Sequence, residues 1–185
     1  MKSLPELTTV SLRLSALSEA DIPLIVHYAN NNYVARYTAN IPHPYSEADA
    51  VFWLNMASEG LKEKNHFIFA LRNKETNAFM GGMGLRRHPE FNRAELGFWL
   101  GEPFWGQGLT SEAVAAIIRF GFGELGLDKI TARHIVVNVA SGKVMLKNGM
   151  KQEGLLRKEI VRDGRQHDVA VYGLLVEDVE TFRHL

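Results

Sequence analysis

Glu102-Pro103-Phe104-Trp105-Gly106-Gln107-Gly108-Leu109-Thr110-Ser111-Glu112 is the stretch on which the reading of this chain turns. A strand-like run, residues 94–100, ends just before it. Residues 110–125 after it carry Val114, Ile117, Ile118 and Leu125 at helical spacing. The stretch is therefore a strand-to-helix loop. Gly106 and Gly108, one residue apart, free the backbone to turn tightly. The helix that follows begins with N–H groups that have no intrahelical acceptor. Those donors, with the helix dipole, suit the oxygens of a phosphate. A tight loop needs glycine even when nothing binds, so the motif alone leaves both readings open. It is neither a Walker loop, since no Gly-Lys-Ser/Thr follows, nor the dinucleotide pattern, which belongs near the first strand.

Outward from this loop the chain alternates strands and helices. Residues 10–14 read as a first strand. Ser18-Glu19-Ala20-Asp21 and Ser46-Glu47-Ala48-Asp49 each resemble a capping box. The first opens a helix bearing Ile22, Ile25, Val26 and Ala29 on one side; the second opens a helix to about Lys62. Between them lies a turn-rich segment with Pro42 and Pro44. Strands follow at 67–71, 79–85 and 94–100, with turns at 73–77 and 89–92. Gly81-Gly82-Met83-Gly84 reads as a bulged or closely approached strand. After the long helix come a buried strand at 130–137, a short helix at 141–148 ended by Gly149, and a hairpin centred on Asp163-Gly164. The order is that of one mixed α/β unit around a central sheet.

Bulk properties narrow the classes without naming one. A chain of 185 residues with 46% hydrophobic and 23% charged content can bury a core as one domain. No apolar run nears the ~20 residues that span a bilayer, and no signal peptide is expected from the mixed, short run at residues 1–10. With no cysteine there is no disulfide, thiolate nucleophile or cysteine-held metal. The expected setting is the cytoplasm. Basic and acidic residues balance at 21 each, which gives no support for a nucleic-acid partner. The seven histidines lack ligand spacing, so no metal is expected.

The loop resembles the pyrophosphate loop of the GNAT (Gcn5-related) N-acetyltransferase superfamily, Arg/Gln-x-x-Gly-x-Gly/Ala. Gly108 matches, Trp105 stands where Arg or Gln is usual, and Thr110 replaces the small last residue. Ser111-Glu112-Ala113 is similar to the continuation in the RimJ/RimL ribosomal-protein branch. Asn138-Val139-Ala140-Ser141, then Lys147-Asn148-Gly149-Met150 and Glu153-Gly154, resembles the second signature, with Met150 for the usual Phe. Ala94-Glu95-Leu96-Gly97-Phe98-Trp99 is similar to the strand before the loop, and Asp163-Gly164-Arg165-Gln166-His167-Asp168 to that branch's late hairpin. The resemblance implies one α/β (α+β) domain over residues 8–178. It further implies a mixed, mostly antiparallel twisted sheet of about seven strands, flanked by about four helices.

It also implies acetyl-CoA as cosubstrate and a primary amine as acceptor, either a protein N-terminus or a small molecule. A non-catalytic acyl-CoA-binding module is the reading from another class, and a homodimer is left open. A lysine amine titrates near about 10.4 and an α-amine near about 7.7–8.0, so transfer needs a base. Glu95 is the candidate, either as that base or as a strand-edge partner of Arg93 or Arg133; Glu159 and His134 come next. The oxyanion is expected on a backbone N–H near Phe98, Trp99 and Leu100. Trp105, Gly106, Gln107, Gly108, Leu109 and Thr110 are the expected cofactor loop. Many members place a tyrosine where Met145 stands, which cannot donate a proton. Ser141 is then the remaining hydroxyl for the departing sulfur, or a helix N-cap. Asn138 either bonds the pantetheine arm or serves as a turn residue. Trp53, Phe91, Trp99 and Trp105 either line an acceptor groove or pack in the core.

Overall fold

Serine and aspartate start the helices where the sequence places them. The structure is a computed structural model and describes residues 3–182. Ser18 and Asp21 cap each other's backbone ahead of a 3₁₀ turn, Glu19–Asp21, that runs into α1 (Ile22–Ala29). Ser46 and Asp49 do the same for α3 (Glu47–Glu63). Between them lies α2 (Asn32–Tyr37), one short helix in the segment read as turns. The Asn31 side chain caps it by accepting from the Tyr33 and Val34 N–H groups.

Among the described residues eight strands form one sheet, one more than expected, because a two-residue strand β1 (Leu7–Thr8) pairs with β2 (Leu12–Ser15). The others are β3 (His66–Asn73), β4 (Phe79–His88), β5 (Arg93–Leu100), β6 (Lys129–Ile135), β7 (Lys151–Arg162) and β8 (Arg165–Leu175). Their spatial order is β1-β2-β3-β4-β5-β6-β8-β7. Among the described residues only β5 and β6 pair in parallel. The crossover joining them is α4 (Leu109–Gly123), as parallel neighbours require. The last helices are α5 (Val139–Lys147) and α6 (Val176–Phe182), the latter unforeseen, which brings the α-helices to six among the described residues.

Helices cover both faces of the sheet. On one face α4 buries Val114, Ile117 and Phe120, whose ring meets Phe67 and Phe69 edge-on at 5.6 and 5.5 Å. Gly121 lets the helix come close, since a Cβ there would stand 2.8 Å from Ile130 Cδ1. On the other face Ile25, Ala29 and Ala50, from α1 and α3, pack with Ala70 and Phe79. β3 is buried along both faces and reads as a continuous apolar run for that reason.

One ion pair lies in this interior. Arg72 of β3 donates to both carboxylate oxygens of Asp21, at 2.7 and 2.8 Å, and through Nε to Ser15 Oγ at 2.8 Å. Burial pushes the Asp21 carboxyl upward, but the hydrogen bonds from Arg72 and Ser18 outweigh it, and its pKa lies below the usual value. No helix among the described residues is long and apolar enough to cross a membrane.

Candidate active site

The parallel pair at the centre of the sheet comes apart. β5 and β6 are in register from Arg93↔Lys129 to Leu96↔Ala132 and no further, although β5 runs on to Leu100 and β6 to Ile135. Beyond that point a cleft of about 1350 Å³ opens between them. Backbone N–H groups alternate edges along a strand. The Gly101 N–H donates to Met80 O on the β4 side, so those of Phe98 and Leu100 face the gap. The indole N–H of Trp105 closes its top, donating to Leu100 O at 2.7 Å.

The first turn of α4 stands over the opening. Gly108 is its N-cap, with φ +78° and no side chain to cap it, and Gly106 holds φ +74°. A Cβ on either glycine would meet nothing within 4 Å. Gly106, Gly108, Leu109, Thr110 and Ser111 all line the cleft, which thus receives an uncapped helix N-terminus. Gln107 does not line it; its side-chain amide closes the loop on Pro103 O at 3.1 Å.

Asn138 and Ser141 reach the cleft on the other side. Helix α5 begins two residues earlier than expected, and its N-cap is Asn138, whose Oδ1 accepts from the Ser141 N–H at 3.2 Å. The capping role weighed for Ser141 therefore belongs to Asn138, which leaves the Ser141 hydroxyl free of that task. The Asn138 amide nitrogen donates to Tyr37 O at 3.0 Å, so both ends of this side chain have protein partners. Met145 is buried at the cleft wall.

The floor toward α3 is set by strand register. Gly82, Gly84 and Arg86 on β4 lie opposite Trp99, Gly97 and Glu95 on β5. A Cβ on Gly97 would meet nothing within 4 Å, whereas one on Gly82 would run into the Trp53 ring. Glu95 faces the cleft and accepts from Arg133 Nε at 3.1 Å; Arg133 Nη1 lies 3.8 Å from Glu159. The roof is the segment between α2 and α3. Arg162, at the end of β7, donates to Ala35 O at 2.9 Å and to Ile41 O. Burial, with Asp49 adding to it, pushes the Tyr45 hydroxyl up to about 12.

Of the expected aromatics, Trp53, Trp99 and Trp105 line the cleft. Trp53 and Trp99 also pack on each other at 5.8 Å. Phe91 lies away from it under Arg93. Arg86, His66 and Lys143 line the cleft too and were not singled out as its residues by the sequence; only the cross-strand register of β4 against β5, counted from Glu95, would have found Arg86.

This combination, one broken parallel pair beneath an uncapped helix end, offers a phosphate-sized anion free backbone donors at the mouth of a deep cleft. Residues 11–151 match the acetyltransferase (GNAT) domain, and the chain belongs to that family of acyltransferases. It is 32% identical over 167 residues to the uncharacterized N-acetyltransferase p20 of Bacillus licheniformis, covering 90% of this chain and 92% of that one. It is 26% identical over 127 residues to the ribosomal protein uS5-alanine N-acetyltransferase of Escherichia coli, covering 68% and 66%. RimJ of Mycobacterium smegmatis, in complex with CoA-disulfide, superposes with a TM-score of 0.87 at 16% identity, over 96% of this chain and 90% of that one; the likeness is one of fold.

Proposed function

We propose that the protein moves the acetyl group of acetyl-CoA to a primary amine, a protein N-terminal α-amine, by direct attack within a ternary complex. The observation that carries this reading is the gap between β5 and β6 beneath the uncapped start of α4. Amides of Gly108, Leu109 and Thr110 receive the pyrophosphate, and the gap takes the pantetheine arm. Asn138 holds the start of α5 in place beside that arm, with its backbone as the part available to it. Bound there, acetyl-CoA supplies an activated acyl carbon, and no metal is needed for aminolysis of a thioester.

Three tasks fall to the chain. Glu95 takes a proton from the attacking amine, directly or through a water. Its pair with Arg133 is partly exposed and of a kind worth about 0–1 kcal/mol, so the carboxylate stays available. The Phe98 N–H, facing the gap, receives the charge that develops on the carbonyl oxygen. The Ser141 hydroxyl hydrogen-bonds the departing sulfur, whose thiol pKa of about 8.5 makes it a fair leaving group.

The test is acetyl-CoA turnover with N-terminal peptides, comparing the wild type with Glu95→Gln. Acetyl-CoA affinity is expected to hold while turnover falls about 10²–10⁴-fold, with the loss shrinking toward high pH as the amine deprotonates itself. Near-normal turnover of Glu95→Gln from about pH 6 to 9 removes Glu95 from the base role.

A further inference from the structure

The mouth of the cleft holds two arginines in unequal circumstances. Arg133 is shared between Glu95 and Glu159. Arg86 is the cross-strand partner of Glu95 in register, yet the carboxylate it faces is engaged by Arg133. Among the described residues no ion pair or hydrogen bond of the Arg86 side chain is formed, although it is exposed and lines the cleft. His66, its neighbour on β3, adds no charge. Burial first and the Arg86 cation second hold the ring below the ordinary histidine value, so it is neutral at pH 7. Asp49, the acid of the α3 end of the cleft, is held by its capping bonds to Ser46. Lys143 belongs to α5, on the opposite wall. One guanidinium is therefore left without a direct partner beside the base, on a floor otherwise made of glycine and flanked by Ile68, Met56 and Trp53.

We propose that Arg86 selects acceptors carrying a carboxylate close to the reacting amine, namely peptide N-termini with an acidic side chain at the second or third residue. This rests on the acetyl-transfer reading with Glu95 as base. Directly opposed residues have Cβ atoms about 4.5–5.5 Å apart, and an extended peptide advances about 3.3 Å per residue. An amine at Glu95 thus brings its next residues past the Arg86 guanidinium, whose fork matches a carboxylate.

The experiment measures kcat/KM on peptides identical except for Asp, Asn or Lys at the second and third positions. Wild type is expected to favour the Asp peptide over the Lys peptide by about ten- to a hundredfold, a margin that fades with salt. In Arg86→Gln the ratio collapses toward one, chiefly through KM, and in Arg86→Glu it inverts. A wild type indifferent to charge overturns the inference, as does an Arg86→Gln that loses equally on all three peptides. Failure of the underlying reading shows separately, as no acetyl-CoA binding in calorimetry and no CoA release with any peptide. Titration of the same series by tryptophan fluorescence still decides the matter, because equal affinities overturn the anchor and Asp-selective binding lost in Arg86→Gln supports it.

Discussion

A glycine just before a helix is kept either for want of space or for its backbone angle, and at Gly108 the two separate. Nothing lies within 4 Å of where its Cβ would stand, but φ is +78°, a region that opposes side chains by roughly 1–2 kcal/mol. Gly108 also lines the cleft, so bulk added to it stands beside the α4 amides. Gly108→Val is therefore expected to lower acetyl-CoA affinity more than about a hundredfold by calorimetry, close to 3 kcal/mol at about 1.4 per decade. Unchanged affinity in a folded variant refutes this. The place of Gly108 in a tight turn ahead of a helix was legible because the Gly-x-Gly spacing is local. Asn138 was only half legible, since its partner Tyr37 is 101 residues away and no spacing encodes that contact.

At the scale of elements, the buried pair Arg72–Asp21 fastens β3 to the start of α1. Removing one partner leaves a buried charge and costs about 3–5 kcal/mol. Urea melts at pH 7 are expected to show that loss for Arg72→Met and for Asp21→Asn. The folded Asp21 pKa is depressed, so its contribution is present above the unfolded value of about 3.9 and disappears as pH falls through the folded value. The deficit of Asp21→Asn against wild type should therefore shrink in acid; a pH-independent deficit contradicts the pairing. Helices α1 and α3 were readable from their capping boxes. Helix α2 escaped because six residues ahead of two prolines carry too short a period, and β1 escaped because two residues carry none.

Across the whole molecule, a side chain from the far edge of the sheet reaches over to hold the roof of the cleft. Arg162 joins the end of β7 to the carbonyls of Ala35 and Ile41, and the segment from Thr38 to Tyr45 lines the cleft. Hydrogen bonds from a charged donor are worth about 1.5–3 kcal/mol. Arg162→Met is expected to raise acceptor KM about tenfold while acetyl-CoA affinity holds, and to speed protease cutting within residues 38–45. An unchanged KM and cutting rate would show that the roof stands without it. The order of strands and helices could be read along the chain because hydrophobic period and turn residues are local. The gap between β5 and β6 could not, because a pairing that stops leaves no residue type behind.

The glycine floor has an evolutionary corollary. A surface already stripped to its backbone cannot be hollowed further by point mutation, so change at these positions runs in one direction. Gly82 is blocked by the Trp53 ring, but Gly97 has empty space before it, and a methyl added there displaces no protein atom. Each such methyl subtracts from the room left in the cleft. Descendants of this enzyme can thus become choosier about bulk in a single inherited step at Gly97. The reverse, a broader appetite, has to come from the aromatic walls or the tethered roof, where several side chains move together.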